Sequence, residues 1–85
     1  MTNKERYDAI LTEDLRVTAD QLPGLKYLGI PSWNSMTHME IISDLEGAFR
    51  IRMETIDILR FSSYEKGMEI LSGQYGVSFE EGGQT

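Results

Sequence analysis

The sequence predicts an all-α domain: a small four-helix bundle of three longer helices and one short third helix, with a long ordered loop between helices 1 and 2. Three observations carry this. Apolar residues recur at three- and four-residue steps in three separate stretches. Two of those stretches open on a serine or threonine followed three residues later by glutamate, the spacing of a capping box. No convincing pair of alternating segments is present to build a sheet.

The first helix is predicted over residues 3–17. Thr2 and Glu5 are spaced as a capping box, and Tyr7, Ile10, Leu11 and Leu15 form one apolar stripe. Residues 18–34, "TADQLPGLKYLGIPSWN", hold both prolines and two glycines, and Pro23-Gly24 marks a turn. A connection of this length is unusual in a compact domain. It is not a polar linker, because Leu22, Leu25, Tyr27, Leu28, Ile30 and Trp33 can pin it against the helices. A long ordered loop leading into a helix start is a common place for function.

The second helix is predicted over 35–49. At 100° per residue, Ile41, Ile42, Leu45, Ala48 and Phe49 share a face, with His38 beside them. The opposite face carries Met36, Glu40, Ser43 and Gly47, flanked by Asp44. That mixture is odd. It exposes a methionine among acids and accepts a glycine that costs ~1 kcal/mol relative to alanine in a helix. "ETIDILRF", 54–61, reads as one or two helical turns, with a strand as the alternative. Ser62 and Glu65 then match a capping box opening the last helix, on which Tyr64, Met68, Leu71 and Tyr75 keep helical spacing. Gly76 is its stop. Residues 1–76 therefore form one domain, and the tail 77–85 is expected to be disordered.

Fourteen acids against eight lysines and arginines give a formal charge of −6. That balance repels nucleic acid and anionic membrane surfaces and attracts basic protein partners, although acidity also simply keeps a small domain soluble. There is no cysteine, and no segment approaches the ~20 apolar residues of a membrane span. The expectation is a cytoplasmic, monomeric protein.

Catalytic and metal motifs are missing. One histidine rules out the usual His pairs of zinc sites, and neither a P-loop nor GxGxxG occurs. Ser35 and His38 are three apart, but nothing supplies an oxyanion hole or an orienting acid. His38 reads as a half-buried packing residue with one hydrogen bond. Glu40 and Asp44 read as a solvated face and not as an acid–base pair. The expectation is no catalytic residue and no metal.

"WNSMTHMEIISDLEGAF", Trp33–Phe49, resembles the acyl carrier proteins. That family is a small acidic four-helix bundle whose second helix begins at Asp-Ser-Leu; here the matching residues are Asn34, Ser35 and Met36. The wider stretch looks like the W-D-S-L-x-H-M pattern of many such carriers, and the likeness covers nearly the whole chain. The resemblance implies a carrier and not an enzyme. Ser35 would take 4′-phosphopantetheine from coenzyme A through a separate magnesium-dependent phosphopantetheinyl transferase. The arm would hold acyl intermediates as thioesters for fatty acid or polyketide-type synthases. An aminoacyl or peptidyl carrier is the close variant. An unmodified acidic helical interaction module is the alternative of a different class.

The family's second helix docks on basic patches of partners. The resemblance therefore assigns partner binding to Asn34, Met36, Glu40, Asp44 and Glu46. Asn34 stands where the family usually has aspartate; it keeps the shape and can still cap a helix, but lacks the charge. Gly47, Arg50 and Arg52 are further departures. Ser32, Ser62 and Ser63 lie outside the motif and read as turn or cap residues. Some carriers shelter their cargo between helices 2 and 3. Ile42, Leu45, Leu59 and Met68 are candidates for such a lining, though a stripe of this kind is ordinarily core.

Overall fold

The computed structural model describes residues 1–79. Four α-helices follow in order: α1 (Asn3–Leu15), α2 (Ser35–Phe49), α3 (Thr55–Arg60) and α4 (Tyr64–Tyr75). A single 3₁₀ turn, Ala19–Gln21, lies between α1 and α2. The described residues form no strand; Lys26 and Ser63 make one isolated antiparallel bridge. The described residues are all-α, and none of their helices is long and apolar enough to cross a membrane.

The capping box of α1 forms as its sequence predicts. Glu5 N–H donates to Thr2 Oγ1 at 3.0 Å, and Thr2 N–H donates to Glu5 Oε1 at 2.8 Å. The helix ends two residues before the predicted 17, because Arg16 turns left-handed at φ 60°. Arg16 and Val17 both donate to Thr12 O, which closes the helix without a glycine. The bounds of α2 match the predicted 35–49.

Tyr7, Leu11 and Leu15 of α1 meet Ile41, Ile42 and Leu45 of α2, and Trp33, Phe61, Ile70 and Leu71 complete the core. Ala48, expected on this face, is exposed, since the buried arc narrows toward the end of α2. In the connection, Leu22 and Trp33 are fully buried, while Leu25, Tyr27 and Ile30 are half-buried. Leu28 departs from expectation. At φ 66° its backbone is turned left-handed, its N–H bonds Trp33 O at 2.9 Å, and its side chain is 68 % exposed.

The connection is tied to the start of α4. Tyr27 N–H donates to Ser62 O at 3.0 Å, and Tyr64 N–H donates to Leu25 O at 2.9 Å. Glu65 is drawn into the same tie, because its carboxylate accepts Gly24 N–H at 2.8 Å. The predicted Ser62–Glu65 capping box therefore does not form. Ser63 is the cap, accepting Lys66 N–H at 3.0 Å. Gly76 ends α4 at φ 71°.

The expected disordered tail needs correction over its first three residues. Val77 is buried, the Phe79 ring lies edge-on to Tyr7 at 5.4 Å, and Asn3 Nδ2 donates to Ser78 O at 3.0 Å. Two apolar residues flanking one serine are enough to fasten a strip of chain but too few to read as an element. Residues 80–85 lie outside the described residues.

Candidate functional site

α2 begins where Asn34, extended at φ −112°, accepts Thr37 N–H at 3.0 Å on its side-chain oxygen. Its amide also donates to Pro31 O at 3.4 Å. The next backbone donor, His38 N–H, bonds Asn34 O at 2.8 Å. The cap is thus supplied by Asn34, and Ser35 follows as the first helical residue, exposed to solvent. Among the described residues no acceptor engages the N–H groups of Ser35 or Met36, and no hydrogen bond holds the Ser35 hydroxyl. A hydroxyl so placed combines access with the partial positive charge of a helix start, which favours an attached anion.

A cavity of about 210 Å³ opens beside it, lined by Ser35, Tyr27, His38, Met39, Ile58, Leu59, Phe61 and Ser62. This is below the ~300–1,000 Å³ usual for a free small-molecule site, and its lining is largely apolar. The lining expected from the sequence is met only at Leu59. Ile42 and Leu45 belong to the closed core, and Met68 lines a different, more open concavity of about 510 Å³ at the end of α4. That larger concavity holds none of the candidate site residues.

Around Ser35 the exposed apolar surface is larger than expected. Met36 is 76 % exposed, and Met39 and Leu59, which line the cavity with Ser35, stand out as well; Ile56 is also exposed on α3. Met39 was legible, since it falls three residues from Met36 on the same helix face. Ile56 and Leu59 were not, because so short a helix gives too few turns to fix which face is inward.

The expected docking acids separate. Glu40 and Asp44 are exposed on the outer face of α2. Glu46 is half-buried, and its carboxylate accepts Met53 N–H at 2.8 Å, so it ties down the chain after α2. Asp44 has a neighbour on α1. Burial, then the Asp44 side chain, then Glu40 and Glu13 push the Asp14 carboxyl up to about 7. One Asp14 oxygen, Oδ2, is buried without a hydrogen-bond donor.

His38 does more than pack. Its Nδ1 accepts the Trp33 indole N–H at 3.0 Å, and its Nε2 lies 3.0 Å from Ile58 O. Indole nitrogen can only donate, so Nδ1 must be bare and Nε2 must carry the proton given to Ile58 O. No group of three or more His, Cys, Asp or Glu among the described residues is arranged to hold a metal ion. Comparison with protein-family models, with curated proteins and with solved structures found no match to this chain.

Proposed function

We propose that this chain is a carrier protein of the acyl carrier type, loaded on Ser35 with 4′-phosphopantetheine, within a four-helix bundle whose 16–34 connection presents the loading site. One observation carries the reading. Asn34 takes over the capping of α2 and leaves an exposed, unengaged serine hydroxyl at the helix start. The residues fit the group: a phosphodiester on Ser35 Oγ would meet the free N–H groups of Ser35 and Met36 and the positive end of α2. The attached arm would supply a terminal thiol able to hold acyl cargo as a thioester. The chain itself presents the attachment point and a small apolar cavity beside it.

Incubation with coenzyme A, magnesium and a broad-specificity transferase is expected to add one phosphopantetheine by intact mass. Ser35→Ala is expected to lose that gain completely. No gain with several transferases, one from the same organism included, overturns the proposal and leaves the unmodified interaction module standing.

Partner docking follows from the same surface. Exposed Met36 and Met39 beside Glu40 and Asp44 offer an apolar contact fringed by acid, suited to weak, fast-exchanging complexes with synthases and transferases bearing basic patches. Glu40→Lys should weaken binding to a loading transferase by about threefold to tenfold, as expected for reversing an exposed charge. The difference should shrink as salt is added, and isothermal titration at two salt concentrations reads both effects.

A further inference from the structure

We infer that His38 is a proton-sensitive clasp, holding α3 and Trp33 to α2 while neutral and releasing the α3 wall of the cavity beside Ser35 when charged. The inference stands on the geometry of the clasp in the unloaded chain and does not depend on the loading of Ser35.

The imidazole joins the end of the connection, the start of α2 and a residue of α3 20 positions further on. Trp33 ends the connection, His38 sits in the first turn of α2, and Ile58 lies in α3. The ring is buried, and both of its nitrogens are used, one as acceptor and one as donor. Tyr27 and Phe61 enclose it, with ring centroids at 5.1 and 5.5 Å. A second proton can go only on Nδ1. There it would face the Trp33 N–H, donor against donor, and the indole would lose its acceptor.

In the unloaded chain a charged ring would also find no anionic partner in the cavity lining. From the connection it is faced by Tyr27 and Trp33, from α3 by Ile58 O, and from just after α3 by Phe61. Tyr27 is the only other titratable residue in the cavity lining. The nearest carboxylate on α3, Asp57, is engaged elsewhere, accepting the Tyr75 hydroxyl at 2.7 Å and lying 4.0 Å from Arg60. Exposure to water resolves both problems for a charged imidazole.

The movement this permits is local. The opposite side of α3 stays anchored to α4, because the Tyr75 hydroxyl bonds both Asp57 and Glu54 N–H. Losing the His38 tie therefore frees the Ile58–Leu59 edge, which is the edge that lines the cavity. Protonation would widen the space next to Ser35 without unfolding the domain.

The test is nitrogen-detected NMR of the full ¹⁵N-labelled chain from pH 8 to pH 5, with amide exchange read residue by residue and corrected for intrinsic rates. At pH 8 His38 should show a bare Nδ1 and a protonated Nε2. As the ring charges, the Trp33 indole N–H signal should move with it. Exchange at Ile58–Phe61 should accelerate at least tenfold while Ile70 and Leu71 keep their protection. His38→Asn places a non-titrating oxygen where Nδ1 sits and should flatten the response. The opposite tautomer, a tautomer mixture, unchanged α3 exchange, or equal loss of protection in α4 overturns the clasp. So does a wild-type response retained in His38→Asn, which would assign it to carboxylates. Should His38→Asn fail to fold, the wild-type tautomer and the residue-by-residue exchange decide the matter alone.

Discussion

Gly67→Ala is expected to destabilise the domain by about 2–4 kcal/mol, the range for forcing a methyl into a packed core with loss of a buried hydrogen bond. Gly67 faces inward from α4, and a Cβ there would overlap the Tyr7 hydroxyl and the tip of the Phe61 ring. Neither can step aside cheaply. Tyr7 and Phe61 are fully buried, and the Tyr7 hydroxyl donates to Tyr64 O at 2.7 Å. The methyl must push α4 off α1 or break that bond, and alanine's better helix propensity returns only ~1 kcal/mol.

Gly47→Ala is the matched comparison. Gly47 also lies inside a helix, but a Cβ there meets nothing within 4 Å. This change should stabilise by about 0.5–1 kcal/mol through propensity alone. Urea unfolding of the pair measures a difference of opposite sign. Equal effects at the two positions would show that the Tyr7–Phe61–Gly67 contact is not tight.

What the sequence made legible was local. α2 was readable at its start because an Asn cap precedes the apolar stripe, and its end at Phe49 matched where that stripe stops although Arg50 turns left-handed without a glycine. Where a distant contact competed, sequence reasoning failed. Ser62 was a reasonable cap until Glu65 turned to bind Gly24, 41 residues away. Glu46 looked like a surface acid until the chain after α2 brought Met53 N–H to it. Left-handed Arg16 and Leu28 carry no glycine to announce them. His38 was expected to make one hydrogen bond and makes two, since its second partner is a carbonyl 20 residues on. The misses at Ser62, Glu46 and His38 are contacts fixed by the tertiary fold and not by a spacing, while those at Arg16 and Leu28 are local turns.

Asp14 is where such a long-range contact should be measurable as a pH dependence. Its carboxyl is raised to about 7 by burial and by Asp44, whereas an unfolded aspartate titrates near 3.9. The folded state therefore keeps a proton that the unfolded state has already released. Below pH ~4 both forms are protonated and the group costs nothing. As pH rises from ~4 to ~7, the unfolded state gains an advantage, and above ~7 the full destabilisation is present. The gap corresponds to ~4 kcal/mol if taken whole. Only one oxygen is buried and the residue stays half-exposed, so solvent screening reduces this to about 1–2 kcal/mol.

Asp14→Asn keeps the shape and a donor toward Asp44 but cannot ionise. It should match the wild type near pH 4 and exceed it by about 1–2 kcal/mol at pH 8 in urea unfolding. A stability difference that is constant from pH 4 to pH 8 would refute the raised Asp14 carboxyl. The consequence reaches the proposed docking face. While Asp14 is protonated it can donate to Asp44 and leaves the outer acids of α2 with one neighbouring charge fewer. Once it ionises, the field beside Glu40 and Asp44 becomes more negative, and attraction for a basic partner should rise with it. At the proposed docking face, the charge that would strengthen attraction above pH 7 is then the same charge that destabilises the fold, so in Asp14→Asn both pH effects should vanish together.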